Sequence, residues 1–413
     1  MNTTQRDGNY EVLQGSGKTG DIVHQTQKMS GDKDFRNVSG LWYDKTIDFD
    51  AAREQLAIES KNRVDYLCKP SEMKTFIGDD GAVGFENSYG VFTPTEHAWN
   101  QFATRCGMPQ TIFKYYAPRK VDAEMFVDIV DTAHTHLCKA MGDKKLRFRC
   151  YKDENGGSMR AVLTEQYAPI DNGWYLDQLE RLIPEGRVSH FEFTNPDTAS
   201  FNVLIPDSIR RESDSDYGGM ISAGNCEIGT RRFEQYPSVF RAICMNGCIW
   251  DQKKGGAIRQ VHRGKINLKE LAAELEINIG RQIPLLTTGI DLLLAMRDWD
   301  LKASDKSAVA IKQILASVAG VNNYSGNQTV ELFSQFNRYE KANKNAFGVV
   351  NAITRAGQES SASFWVKSDR LAGSIMESGE AGWDKILKRA STIDDSDIEK
   401  QLKRADQTIL QAV

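Results

Sequence analysis

Apolar and polar positions change their spacing three times along the chain. Residues 1 to about 40 are rich in Gly, Ser, Thr, Asn, Gln and Asp and hold no sustained period, which predicts a disordered or extended N-terminal arm without a fold of its own. From 41 to about 142, short strand-like runs such as Lys74-Thr75-Phe76-Ile77 and Tyr89-Gly90-Val91-Phe92 mix with helical ones. The clearest helix is expected over 121–140, where Phe126, Ile129, Val130, Ala133 and Leu137 recur at helical spacing.

Between 143 and 265 the period shortens to two. Leu146-Arg147-Phe148-Arg149-Cys150-Tyr151 alternates, Glu154-Asn155-Gly156-Gly157 follows, and Met159-Arg160-Ala161-Val162-Leu163 resumes, the pattern of a β-hairpin. Further strands are expected at 188–194, 199–205, 219–223, 238–250 and 257–262, with a short helix at 177–182. From 266 onward the pattern is helical. Asn267 can cap a helix that starts at Leu268 and carries its apolar face through Leu271, Leu275 and Leu286 towards Trp299, with Pro284 bending or interrupting it. More helices are expected at 304–319, 329–344 and from 395 to the end. The predicted class is α+β: an antiparallel, strand-rich central core with flanking helices and a helical C-terminal third. Its regions are an arm (1–40), a mixed α/β part (41–142), the strand-rich core (143–265) and the helical part (266–413).

With 413 residues the chain exceeds one ordinary domain. Seven cysteines, an odd number spread from Cys68 to Cys248, do not form the framework of a small secreted domain and fit a reducing cytoplasm. The N-terminus lacks an apolar signal core and no run of about 18 apolar residues occurs, so no membrane partner is expected.

Charge is informative only locally. The chain carries 52 Lys plus Arg against 56 Asp plus Glu, a net of -4, whereas residues 229–265 hold eight basic side chains (Arg231, Arg232, Arg241, Lys253, Lys254, Arg259, Arg263, Lys265) against two acidic ones. In the hairpin, a turn at Asn155-Gly156 would set Tyr151 opposite Arg160 and Arg149 opposite Val162. That register places Arg147, Arg149, Tyr151 and Arg160 on one open face and Phe148, Cys150, Ala161 and Leu163 on the other. Arginines pair phosphates bidentately and an aromatic ring stacks a base, which is the chemistry of single-stranded nucleic-acid binding. Arg241 interrupts an apolar strand, where a buried ion pair competes with a ligand contact.

Other motifs carry less. Gly15-Ser16-Gly17-Lys18-Thr19 lacks the first glycine of a phosphate loop, having Val12 in its place, and reads as part of the arm. Cys244 and Cys248, on one strand, would lie about 13 Å apart, too far to share a zinc ion. His134 and Cys138 share a helix face without a second ligand pair, so no metal or cofactor is expected. Glu165, Asp171, Glu192 and Glu227 are the carboxylates from which a metal-dependent nuclease could be built.

Four segments carry a family resemblance: residues 160–172, Glu227-Ile228-Gly229, residues 240–248 ending in Asn246-Gly247-Cys248, and Asn351-Ala352-Ile353-Thr354-Arg355. In this order they resemble a phage- and plasmid-borne family catalogued as domain of unknown function 932, over roughly residues 60–360. The resemblance implies a mobile-element protein and supplies no catalytic residues. A strand-rich core with a basic groove is also broadly similar to the single-strand annealing proteins that assemble as rings or filaments. The expected function is binding or annealing of single-stranded DNA by a homo-oligomer in the host cytoplasm, in recombination or replication. Arg147, Arg149, Arg160, Arg231, Arg232, Lys253, Lys254, Arg259 and Arg263 would meet the backbone and Tyr151 would stack a base. The alternatives are the nuclease and a structural or host-interaction protein.

Overall fold

The computed structural model describes residues 3–6, 10–13 and 46–402, apart from 61, 118–121, 154–155, 196–197, 243–245, 250–256, 303–308, 359, 361, 395, 397 and 400–401. Within the arm, β1 (Thr3–Arg6) and β2 (Tyr10–Leu13) pair as an antiparallel ribbon, a local structure its composition did not predict. The Gly15–Thr19 run lies outside the described residues.

The remainder is mixed α+β, built on two sheets. Strand β3 (Thr46–Ile47) and helix α1 (Phe49–Ser60) lead into β4 (Arg63–Cys68), β5 (Lys74–Ile77), β6 (Val83–Asn87) and β7 (Gly90–Pro94). Helices α2 (Glu96–Cys106), α3 (Gln110–Tyr116) and α4 (Ala123–Met141) follow, then the predicted hairpin, β8 (Leu146–Asp153) and β9 (Gly156–Thr164). The smaller sheet has the order β4-β8-β9-β7-β6-β5, antiparallel except where β7 meets β9. Alternation sends Phe148, Cys150 and Val162 to one face, where Phe85, Trp99, Phe102, Phe113, Phe126 and Val130 close a core under α2, α3 and α4.

The larger sheet follows α5 (Asn172–Leu182). It comprises β10 (Arg187–Asn195), β11 (Thr198–Leu204), β12 (Arg210–Arg211), β13 (Asp216–Cys226), β14 (Phe233–Arg241), β15 (Asn246–Ile249) and β16 (Ile258–Gln260). Its order is β15-β14-β13-β11-β10-β3, with β12 beside β13 and β16 beside β14. Strands β13 and β14 are buried at every position, so both their faces are covered, unlike the half-solvated antiparallel strand that alternation describes. One cover is α1, α5 and α6 (Leu268–Ala295). Gly219 on β13 permits the approach of α6, since a Cβ there would stand 2.6 Å from the Leu286 side chain. The other cover is the helical third: α7 (Ile311–Val321), α8 (Gly326–Gln335), a π-helical turn (Phe336–Glu340), α9 (Ala346–Gln358) and α10 (Ala362–Ala390). Tyr217, Val239 and Cys248 of the sheet enter the core of this third.

Several expectations change. Residues 238–250 are not one strand, because the chain turns back after Arg241 and pairs it with Asn246 and Val239 with Cys248. Pro284 leaves α6 unbroken, since both halves of the helix are anchored by buried side chains that outweigh one lost hydrogen bond. The helix expected at 329–344 begins earlier and passes into the π-helical turn, and residues 346–390, part of the predicted helical region but without individual helices placed in them, carry α9 and α10. Most of the helix expected from 395 lies outside the described residues. Among the described residues no helix is long and apolar enough to cross a membrane. Overpacking at Gly219 is directly testable: Gly219→Ala should lower the unfolding free energy by about 1–3 kcal/mol in urea titrations, and an unchanged midpoint would show that α6 can retreat without loss.

Candidate anion-binding site

Two clusters of arginines are set by the sheets, and they differ in how far they are buried. The first grows from the hairpin. A two-residue loop after Asp153 pairs Tyr151 with Ser158, and a bulge at Arg160 then sets Ala161, not Val162, opposite Arg149 and Leu163 opposite Arg147. Arg147, Arg149 and Tyr151 do share a face. Ala161 and Leu163 lie on that same side, packed on Tyr167, Cys226 and Ile228, so the expected open face is an interface between the two sheets.

The buried charges there are paired. Arg149 and Arg160 are each only 1% exposed. Arg149 donates through Nε to Asp65 (2.9 Å), through Nη1 to the Glu227 carbonyl (2.7 Å) and through Nη2 to Asp171 (3.0 Å). Burial alone would favour its neutral form, but Asp65, Glu227 and Asp171 hold the guanidinium above its ordinary pKa. Arg63 adds Glu227 at 2.6 Å and Asp171 at 3.0 Å, the backbone N–H of Asn172 donates to Glu227 at 2.9 Å, and Arg160 stands 3.6 Å from Glu227. Arg149 and Arg160 thus lock the sheets together instead of meeting a ligand. Tyr151 is itself engaged, because the Arg160 guanidinium lies 4.0 Å over its ring and occupies one stacking face. Arg147, at the margin, is 3.7 Å from Asp65. Beside this junction His262 stacks on Tyr167 with rings 5.1 Å apart and donates from Nδ1 to the Ala168 carbonyl at 3.1 Å. Its burial, the largest effect, pushes its pKa below 6.5, and Arg149 acts in the same direction.

The second cluster lies nearer the surface. Strand β16 puts Arg259 opposite Glu234 of β14, and Tyr236 lies two residues on, on the same side as Glu234. Glu234 accepts from Arg231 (2.8 Å), Arg232 (3.2 Å), Arg370 of α10 (2.9 Å) and the Tyr236 hydroxyl. Arg259 and Arg370 donate to the Tyr236 oxygen at 3.3 and 2.7 Å. Gly224, across from Glu234 on β13, makes room for one of these groups, since a Cβ there would be 2.4 Å from the Arg231 guanidinium. Burial would raise the Glu234 carboxyl, but the Tyr236 hydrogen bond and the guanidiniums of Arg231 and Arg370 hold it at about 2. Three guanidiniums therefore meet one carboxylate and a fourth, that of Arg259, reaches the Tyr236 hydroxyl beside it, with Arg259 exposed and Arg232 43% exposed. Arginines exposed in this way attract an anion, and guanidinium forks match phosphate oxygens. Nothing local singled out Arg370, which reads as one more charge on a solvated helix face.

The other candidates are scattered. Arg263 is exposed and its backbone bridges Tyr167, while Lys253 and Lys254 lie outside the described residues. Arg241 is the buried ion pair, 3.0 Å from Asp214 and 3.3 Å from Glu340. Glu165 is exposed, the Glu192 side chain lies outside the described residues, and Asp171 and Glu227 belong to the junction. His134 and Cys138 do meet, at 3.5 Å, but among the described residues no three His, Cys, Asp or Glu side chains form a metal-holding group. Cys248 is buried, Cys244 lies outside the described residues, and the turn after Arg241 removes the single-strand geometry on which their spacing was judged. No family model, curated protein or solved structure matches the chain.

Two measurements probe the junction. Arg149→Ala leaves Asp65 and Asp171 without their shared partner and should cost about 3–5 kcal/mol in urea unfolding, with little rescue by Arg149→Lys, whose ammonium lacks the three-way fork. The folded-state pKa of His262 lies below 6.5, so the unfolded chain takes up that proton first and stability from this group is lost as pH falls below about 6.5. Glu340 and Asp369, whose carboxyls burial raises, act in the opposite sense. The difference in unfolding midpoint between the wild type and His262→Asn should therefore shrink from pH 7.5 to 5.5, and a pH-independent difference would contradict the assignment.

Proposed function

We propose that this protein binds single-stranded DNA, with the phosphodiester backbone held by Arg231, Arg232, Arg259 and Arg370. The observation that carries this reading is the convergence of those four guanidiniums on the hydrogen-bonded pair Glu234 and Tyr236, at the end of a strand pair where Arg232 and Arg259 face solvent. A partly exposed arginine set favours a polyanion, whereas the buried set around Arg149 does not. The sequence resemblance to phage- and plasmid-borne proteins directs the reading towards strand annealing in recombination or replication by a homo-oligomer. The nuclease alternative has no specific observation behind it, because the oxygens of Asp171 and Glu227 are engaged by Arg63, Arg149 and Arg160.

Fluorescence anisotropy with a labelled oligothymidylate tests the proposal. Binding should appear at low salt and weaken with a slope of about -0.7 per phosphate contacted. The double variant Arg232→Gln/Arg259→Gln, altered only at solvent-facing positions, should bind about tenfold more weakly with a shallower salt slope. No binding at low salt, or a variant indistinguishable from the wild type, would overturn it. Mixing complementary strands, one of them dye-labelled, then separates annealing from binding alone.

A further inference from the structure

Helices α7 and α10 line a half-open cavity of about 440 Å³ that belongs neither to the ion junction nor to the arginine site. That volume falls within the range of about 300–1,000 Å³ typical of small-molecule sites. Its shape comes from Gly379, where α10 breaks with φ 63° and ψ -170°, a conformation that favours glycine. The break lets both halves of α10 line one space: Leu371 and Ile375 come from the first half, Ile386 from the second, and Val318 of α7 completes the apolar wall. Gly382 keeps the second half close, since a Cβ there would overlap the Ser378 hydroxyl.

The rim is basic. Lys385 and Arg389 line the cavity one helical turn apart and are exposed. The nearby acid, Asp384, is paired with Lys388 at 2.8 Å. Like charges at this spacing repel, and although a cation in the last turn suits the helix dipole, two of them at the mouth of an apolar space give an anion a place to sit. We propose that the cavity binds a small amphiphilic anion. Its aliphatic chain would pack on Val318, Leu371, Ile375 and Ile386, and its carboxylate or phosphate head would lie between Lys385 and Arg389.

Isothermal titration calorimetry on the full chain, with decanoate, decyl phosphate and uncharged decanol all below micellar concentration, tests this. At least one anion should bind saturably at one site per chain, with decanol and the Lys385→Gln/Arg389→Gln variant each weakening the interaction about tenfold, the size expected for losing charge-assisted hydrogen bonds. Tighter binding of decyl phosphate assigns a phosphate head, and tighter binding of decanoate a carboxylate head. Both substitutions are at exposed positions, so the circular dichroism spectrum should be unchanged. Absence of saturable binding by either anion, or equal binding of decanol and of the double variant, overturns the proposal.

Discussion

The docking of the two sheets depends on the burial of one guanidinium. Arg149 cannot lose its charge under ordinary conditions, so the folded chain must bring acceptors to it from three separate places: Asp65 on β4, the Glu227 carbonyl just beyond β13, and Asp171 before α5. Matched buried charges contribute little net stability compared with packed apolar side chains, but a mismatched one is severely unfavourable. Their effect is selective: a sheet docked one residue out of place would leave a guanidinium facing an apolar wall. The bulge at Arg160 belongs to the same constraint, because it shifts β9 so that a second arginine faces Glu227.

The helical third is fastened to the larger sheet by a different logic. Arg241 crosses to Glu340 in the π-helical turn, a carboxyl that burial raises and Arg241 and Arg355 pull back down. Arg370 crosses in the other direction, from α10 to Glu234 and Tyr236. The proposed phosphate site is therefore composite. Two of its arginines come from the loop before β14 and one from β16, and the fourth arrives only when α10 is docked.

The local patterns in the sequence were sufficient for elements that bury one face. Helix α4 and the hairpin β8–β9 were legible because Phe126, Val130, Ala133 and Leu137 repeat at 3.6 residues and the hairpin alternates at two. Where burial is complete the pattern disappears. Strands β13 and β14 are buried at every position, so two-residue alternation with solvent is lost, and α9 buries even its polar stripe of Asn351, Thr354, Arg355 and Gln358. The hairpin arginines were placed on the correct common face and given the wrong surroundings, because Asp65, Asp171 and Glu227 are distant in sequence and only the fold assembles them around Arg149. Of the second cluster, Arg231, Arg232 and Arg259 were visible as a local excess of charge. Arg370 was not, because its partner lies 136 residues away.

Helix α6 is shared property. Leu271, Leu275, Ile279 and Leu286 belong to the core beneath the larger sheet, while Ile290 and Leu293 belong to the core of the helical third, and the helix runs through both without interruption. A cut anywhere along it would strip one core of its cover and open apolar side chains to water, so the strand-rich body and the helical third are coupled in folding and should not unfold independently of each other.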